Sequence, residues 1–186
     1  MTDAQLVEEA RVGESDSFDL LVERHKGALF NYLCYLTHSE ARADDLLQET
    51  FIRAYRSLRT LRDTERFRAW LFRIGLNTFK SHYRRWAAHR AEPLPEDWSD
   101  GAGDSPEDAL EQTETQLMVR DALAKLPDDA RAILVLREME GLSYEEIAVA
   151  LGISLGTVKS RIARARERLA ELLGVKPACH PEGESQ

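Results

Sequence analysis

Residues 142–168 constrain this chain more than any other stretch, because they encode two short helices joined by a forced turn. Ser143 and Glu146 have the spacing of a capping box, in which each side chain satisfies a free backbone donor where a helix starts. Ile147, Ala148 and Leu151 follow at helical spacing, and Gly152 supplies the backbone freedom that a sharp turn needs. Ser154 is placed to cap a second helix, along which Val158, Ile162, Ala165, Leu169 and Leu172 recur at steps of three and four. Away from that apolar stripe stand Ser160, Ala163, Arg164 and Glu167, flanked by Lys159, Arg161, Arg166 and Arg168. A helix buried on one side and basic elsewhere fits the major groove, its charges meeting phosphates and its outward residues meeting base edges. The plainer alternative is a helical hairpin with a solvated charged face.

A formal net charge of -8 over 186 residues sits badly with DNA binding until the charges are placed along the chain. Acids crowd the N-terminus (Asp3, Glu8, Glu9, Glu14, Asp16, Asp19) and residues 91–116, where no Lys or Arg offsets them. Basic residues gather instead at 53–90 and 159–168. Two basic surfaces divided by an acidic segment imply two nucleic-acid contacts joined by a linker. Pro93, Pro95, Gly101, Gly103 and Pro106 break regular structure there, so a boundary is expected within 91–106, with helix resuming from Glu107. About 25 extended residues span on the order of 80 Å, more than two turns of duplex.

Other classes lose ground on composition. No run approaches the apolar length of a membrane span, and the N-terminus lacks the basic and apolar regions of a signal peptide. Cys34 and Cys179 are too few for a disulfide framework, which places the chain in a reducing cytoplasm. No Ser/His/Asp set, phosphate-binding glycine loop or metal-spaced cluster points to an enzyme, a cofactor or a metal site. The Cys179–His180 pair reads as part of a disordered tail from Pro177 rather than as half of a metal site.

The N-terminal part reads as helical throughout. Phe18, Leu21, Val22, His25, Leu29, Tyr32, Leu33 and Leu36 keep helical spacing from a start near Ser15 or Asp16. A second helix begins around Ala41 and carries Leu46, Leu47, Phe51, Ile52, Tyr55 and Leu58. The third, roughly 65–86, interleaves three stripes. Phe67, Leu71, Ile74 and Thr78 form one face, while Phe72, Leu76, Phe79 and Tyr83 form a second, roughly opposite. Arg73, Asn77, Lys80 and Arg84 run between them. A helix apolar on two sides is wedged between neighbours. Its polar line suits a nucleic-acid backbone with one base-reading amide, and aromatics beside basic residues also suit unpaired bases.

Three ordered motifs resemble the extracytoplasmic-function (group IV) sigma factors of bacterial RNA polymerase, over about 18–173. Residues 45–58 look like the family's polymerase-binding helix, 67–80 like its −10 promoter helix, and 126–148 with the following helix-turn-helix like its −35 domain. The resemblance implies an all-α protein of two small helical domains joined by a flexible acidic linker. Region 2 would occupy 1–90, the linker 91–116, region 4 117–175, and a disordered tail 176–186.

The roles of individual residues follow from the same resemblance. Asp44, Asp45, Leu47, Gln48, Glu49, Phe51 and Ile52 would bind the clamp of the polymerase's largest subunit, with Asp44, Gln48 and Glu49 the strongest candidates and some of the apolar ones core. The flap of the second-largest subunit is the other expected polymerase contact. Arg73, Asn77, Lys80 and Arg84, with Arg62 and Arg66 of the preceding loop, would hold the opened −10 strand, and that loop would capture an extruded base. It departs from the family pattern in lacking the common glycine and carrying Glu65. Lys159, Ser160, Ala163 and Arg164 match base-reading positions of the −35 helix, with Arg161, Arg166 and Arg168 meeting phosphates or staying solvated. A separate anti-sigma protein is expected to mask these faces. The competing class is a two-domain helix-turn-helix regulator that does not replace a sigma subunit.

Overall fold

The computed structural model describes residues 1–89 and 114–175, and the expected linker, the helix start at Glu107 and the Cys179–His180 pair lie outside them. Within the described residues every regular element is helical. The helices are α1 (Asp3–Arg11), α2 (Ser15–Thr37), α3 (Glu40–Ser57), α4 (Phe67–His89), α5 (Glu114–Ala124), α6 (Asp128–Leu134), α7 (Tyr144–Leu151) and α8 (Leu155–Leu173).

Local chemistry sets most of these boundaries. Thr2 and Gln5 cap α1 reciprocally, and α1 itself has no counterpart in the pattern of residues read above. Ser39 opens α3 by accepting from the Arg42 amide at 3.4 Å, one residue before the expected start. Asp63 accepts from the Glu65 amide at 3.2 Å and nucleates a 3-10 turn over Thr64–Arg66, so α4 begins at Phe67 rather than at Glu65. Farther on, α6 passes into a π-helical turn, Val135–Met139, before the chain reverses towards α7.

Helices α1 to α4 build one bundle. α4 packs against α2 and α3, with Phe72 edge-on to Tyr32 (ring centroids 5.2 Å apart) and Phe67 against His25 (5.4 Å). Gly75 makes the approach possible: a Cβ there would lie 2.9 Å from Leu29 Cδ1 and also touch Thr50 and Leu33. Helices α5 to α8 form the second bundle, in which α5 and α6 both pack on α8.

The fold class agrees with the expected two helical units, but they do not stand apart here. α7 lies along α4, α6 meets α2, and the buried apolar side chains join into one continuous cluster. The two helical units of the expected fold are thus packed against each other through α4 and α7. The cause is legible in α4, whose burial needs exceed what α2 and α3 can cover. Ala69, Arg73, Leu76 and Lys80 share a helical stripe. Ala69 and Leu76 are buried, and the C-terminal unit reaches Arg73 and Lys80, which flank Leu76 on this stripe.

Polar contacts finish that junction. Arg68 donates to the Glu140 carbonyl at 2.6 Å. Arg131, nearly buried, donates to the Ala124 carbonyl at 3.1 Å, to the Asp128 carboxylate and to His38 Nε2. His38 is also the left-handed cap of α2, with φ 53°. Burial first, then the neighbouring Arg131 and Arg120 charges, push its pKa down to about 4 from 6.5.

A depressed histidine pKa means that the unfolded chain binds a proton which the folded chain rejects, so stability from His38 is lost as pH falls from 6.5 towards about 4. His38→Asn tolerates left-handed backbone and does not titrate. Between about pH 7 and about pH 4.5, urea unfolding of the wild type should lose on the order of 1–3 kcal/mol more than that of the variant. His25, also depressed by burial, and Glu140, raised by burial, are present in both proteins and cancel in the comparison. Identical pH profiles would remove His38 from the junction's energetics.

Candidate nucleic-acid interface

The helix-turn-helix forms as its residue types require. Ser143 accepts from the Glu146 amide at 3.2 Å while the Glu146 carboxylate accepts from the Ser143 amide at 2.8 Å. Gly152 takes φ 67° and its amide closes on the Ala148 carbonyl, turning the chain into α8. Ser154 caps α8 by accepting from the Thr157 amide at 3.2 Å. Val158, Ile162 and Ala165 are buried, and Lys159, Ser160, Arg161, Ala163 and Arg164 are all exposed.

The basic residues of α8 divide into two groups. Arg166 is held by Glu138 of the π-helical turn at 2.9 and 2.6 Å, and Arg168 pairs with Glu171 at 2.8 Å. Among the described residues no ion pair engages Lys159, Arg161 or Arg164. Ser160 Oγ donates to its own helix at the Thr157 carbonyl (3.1 Å), so base contact would require that hydroxyl to rotate away.

The second line lies on α4, where Arg73, Asn77, Lys80 and Arg84 are exposed side by side. Arg84 Nε donates to the Lys80 carbonyl at 3.3 Å. Arg62 and Arg66 project from the preceding loop, and Arg66 pairs with Asp63 at 2.9 Å. The C-terminal unit stands over this line. Lys80 pairs with Asp129 of α6 at 3.0 Å, and Arg73 approaches Gly152. An open cleft of about 760 Å³ runs between them, lined by Asn77, Lys80, Tyr83 and Arg84 on one side and by Pro127, Asp128 and Asp129 on the other. The acids of α6 thus face the cationic line across the cleft.

The third surface is the outer face of α3. Asp44, Asp45 and Gln48 are exposed, with Gln48 Nε2 donating to Asp44 at 3.0 Å. Ile52 is exposed (51%), and Leu47 is half-buried. Phe51 belongs to the core: it is 8% exposed and meets Phe18 edge-on at 6.5 Å. Tyr55 extends the exposed stripe (51%) one turn past Ile52, and the same helical period identifies it. Glu49 is not a free surface acid. It joins Arg53 on its own helix to His82 on α4. Burial alone would raise its pKa, but the His82 and Arg53 hydrogen bonds and charges outweigh that and hold it low.

Comparison with known proteins matches this geometry. The model for sigma-70 region 2 matches residues 21–89, and that for sigma-70 region 4 matches residues 116–169. The RNA polymerase sigma-H factor of Pseudomonas aeruginosa is 39% identical over 180 residues, covering 92% of this chain and 93% of its own. The ECF RNA polymerase sigma-E factor of Haemophilus influenzae is 37% identical, covering 91% and 94%. Among solved structures, CnrH in complex with the cytosolic domain of CnrY superposes with a TM-score of 0.70 at 34% identity, covering 92% and 97%. RpoE in complex with the anti-sigma factor NepR from Bartonella quintana superposes with a TM-score of 0.67 at 28% identity, covering 86% and 98%.

The chain belongs to the extracytoplasmic-function sigma factors of bacterial RNA polymerase. It is therefore a non-enzymatic initiation factor that binds core polymerase and promoter DNA. No described helix is long and apolar enough to cross a membrane.

The α3 geometry separates two kinds of acid. Glu49→Ala removes a link between α3 and α4 and should cost about 1 kcal/mol in urea unfolding. Asp44→Ala and Gln48→Ala touch only their own helix and should stay within about 0.5 kcal/mol of the wild type. Equal costs at all three positions would deny Glu49 its bridging role.

Proposed function

We propose that the three surfaces divide promoter recognition among themselves. α8 reads the −35 duplex through Lys159, Ser160, Ala163 and Arg164, with Arg161 on phosphate. α4 and the loop at 61–66 open and hold the −10 strand, through Arg73, Asn77, Lys80 and Arg84 with Arg62 and Arg66. The outer stripe of α3, with Asp44, Asp45, Gln48 and Ile52 extended by Tyr55, meets the clamp of the largest polymerase subunit. The C-terminal unit meets the flap of the second-largest.

One observation carries the reading. A single chain holds two exposed cationic lines, each on a helix with a buried apolar face, one on a helix-turn-helix and one beside an exposed amide. An ordinary helix-turn-helix regulator has no use for the second line or for a clamp-facing helix.

The arrangement described above also implies a sequence of events. With Asp129 on Lys80 and α7 along α4, the C-terminal unit stands over part of the −10 line, so it must move away before that line can seat a DNA strand. A separate anti-sigma protein would act by holding the two units together; the related RpoE chain is seen with the anti-sigma factor NepR. The site of action is the cytoplasm, where polymerase and DNA are.

Arg164→Ala should relax specificity at one upstream base by about 1–3 kcal/mol, the contribution of a bidentate guanine contact, while strand opening stays intact on promoters still bound. Asn77→Ala should preserve upstream duplex binding and impair opening. Footprinting of unpaired thymines by the holoenzyme distinguishes them. If both variants lose only duplex affinity, α4 is a phosphate patch and the opening mechanism is wrong.

A further inference from the structure

The loop at 61–66 is held internally by short local contacts, Asp63 accepting from the Glu65 amide at 3.2 Å and pairing with Arg66 at 2.9 Å. Arg62, Asp63, Glu65 and Arg66 are exposed, and the nearest buried anchors are Leu61 and Phe67 at its two ends. Its entrance is braced from elsewhere, by α1. Arg11 Nε donates to the Leu58 carbonyl at 3.3 Å, and Arg11 Nη2 donates to the Leu61 carbonyl. Arg59 Nη2 returns a longer contact to the Arg11 carbonyl at 3.4 Å. One planar guanidinium thus spans the two ends of the 3-10 turn Leu58–Thr60, a geometry that the point charge of a lysine cannot reproduce. The Arg11 side chain is only 19% exposed and is steadied by Glu8 at 2.8 Å.

The brace is rigid because α1 is itself fixed. Leu6 and Val7 are fully buried against the bundle. Asp3, at its first turn, accepts from His25 Nε2 at 2.7 Å and from Arg24. α1 also packs on the turn Thr64–Arg66, so it touches the loop at both its entrance and its exit.

We infer that Arg11 is a positioning residue for −10 base selection. It fixes the Leu58–Leu61 turn and thereby the pocket that the loop offers to an extruded base. This rests on the proposed role of that loop. Discrimination between bases needs pocket atoms held to within about 0.5 Å, and a local pair as exposed as Asp63–Arg66 does not by itself hold a loop that closely. Arg11 touches no DNA in this scheme and acts through the carbonyls it holds.

The test uses the full chain bound to core polymerase, with promoters carrying each of the four bases at each non-template −10 position. Open-complex rates give a base-preference ratio, which a general loss of stability would not change. Arg11→Met keeps the buried stem and removes both donors, and it should flatten the preference at one position by about three- to ten-fold. Upstream duplex affinity and core affinity should stay at wild-type values. Arg11→Lys should fall between, and it decides the matter if the Met variant does not fold. A wild-type preference ratio in Arg11→Met, or in Arg11→Lys where that variant decides, overturns the inference. Replacing Arg62, Asp63, Thr64 and Glu65 together by Ala tests the underlying reading separately. If the wild type discriminates and that variant keeps the same profile, the loop does not read the base, and the proposed −10 role fails before Arg11 is in question.

Discussion

Because α4 must bury apolar residues on two sides, its polar line has only a narrow strip of surface left to it, and that geometry organises the rest of the molecule. Phe67, Phe72 and Gly75 face α2 and α3, where the missing side chain of Gly75 lets the helices close. Ala69 and Leu76 need cover as well, and α7 lies along α4. Arg73, Asn77, Lys80 and Arg84 are left at the edge of this second contact. A helix built in this way cannot offer its polar line to DNA without also offering apolar surface to something else. On the proposed role of this line, strand capture and the docking of the C-terminal unit compete for neighbouring parts of one helix.

Magnitudes indicate which contacts hold the closed arrangement. The Lys80–Asp129 pair is exposed on both sides, and such pairs contribute roughly 0–1 kcal/mol. Burial of apolar side chains contributes roughly 25 cal/mol per Å², so even a modest α4–α7 contact outweighs the ion pair. The ion pair instead gives the junction direction, because acids over the cationic line favour this docking over a random one. Arg131 is different. Its buried charge must be paired, and it draws on a carbonyl, a carboxylate and a neutral histidine to meet that need. Burial disfavours a charged His38, and protonation would in addition place two like charges together at the junction, so its pKa is pushed down.

Legibility in the sequence followed the range of the interaction. The capping box at Ser143 and Glu146, the glycine turn at Gly152 and the cap at Ser154 are local, and each was readable from neighbours three or four positions away. The exposed residues of α8 were readable for the same reason, since one helical period separates them from the buried stripe. The α1 helix was obscured because its acids read as an acidic N-terminus, while its purpose lies with partners such as His25, Leu58 and Leu61 far along the chain. Glu49 was misleading in the same way. A free surface acid cannot be told from a bridging acid until His82, 33 positions later, is placed beside it. The packing of α7 on α4 left no local sign beyond the excess apolar surface of α4.

The overall charge also acquires a physical sense. A chain of net charge -8 is repelled by DNA at a distance, so its cationic lines act only at short range, within roughly a Debye length of about 8 Å at physiological salt. Long-range attraction would hold a free sigma subunit on arbitrary duplex, since non-specific affinity comes almost entirely from phosphate contacts. An acidic protein with two confined basic lines avoids that trap, and the docked C-terminal unit sets Asp128 and Asp129 at the cleft beside one of those lines. Under the proposed division of roles, core polymerase serves as the platform that brings both lines to DNA together, where each contact needs only modest strength because the other supplies a high effective concentration. Specificity in such a scheme comes from requiring both contacts at a fixed separation rather than from tight binding at either one.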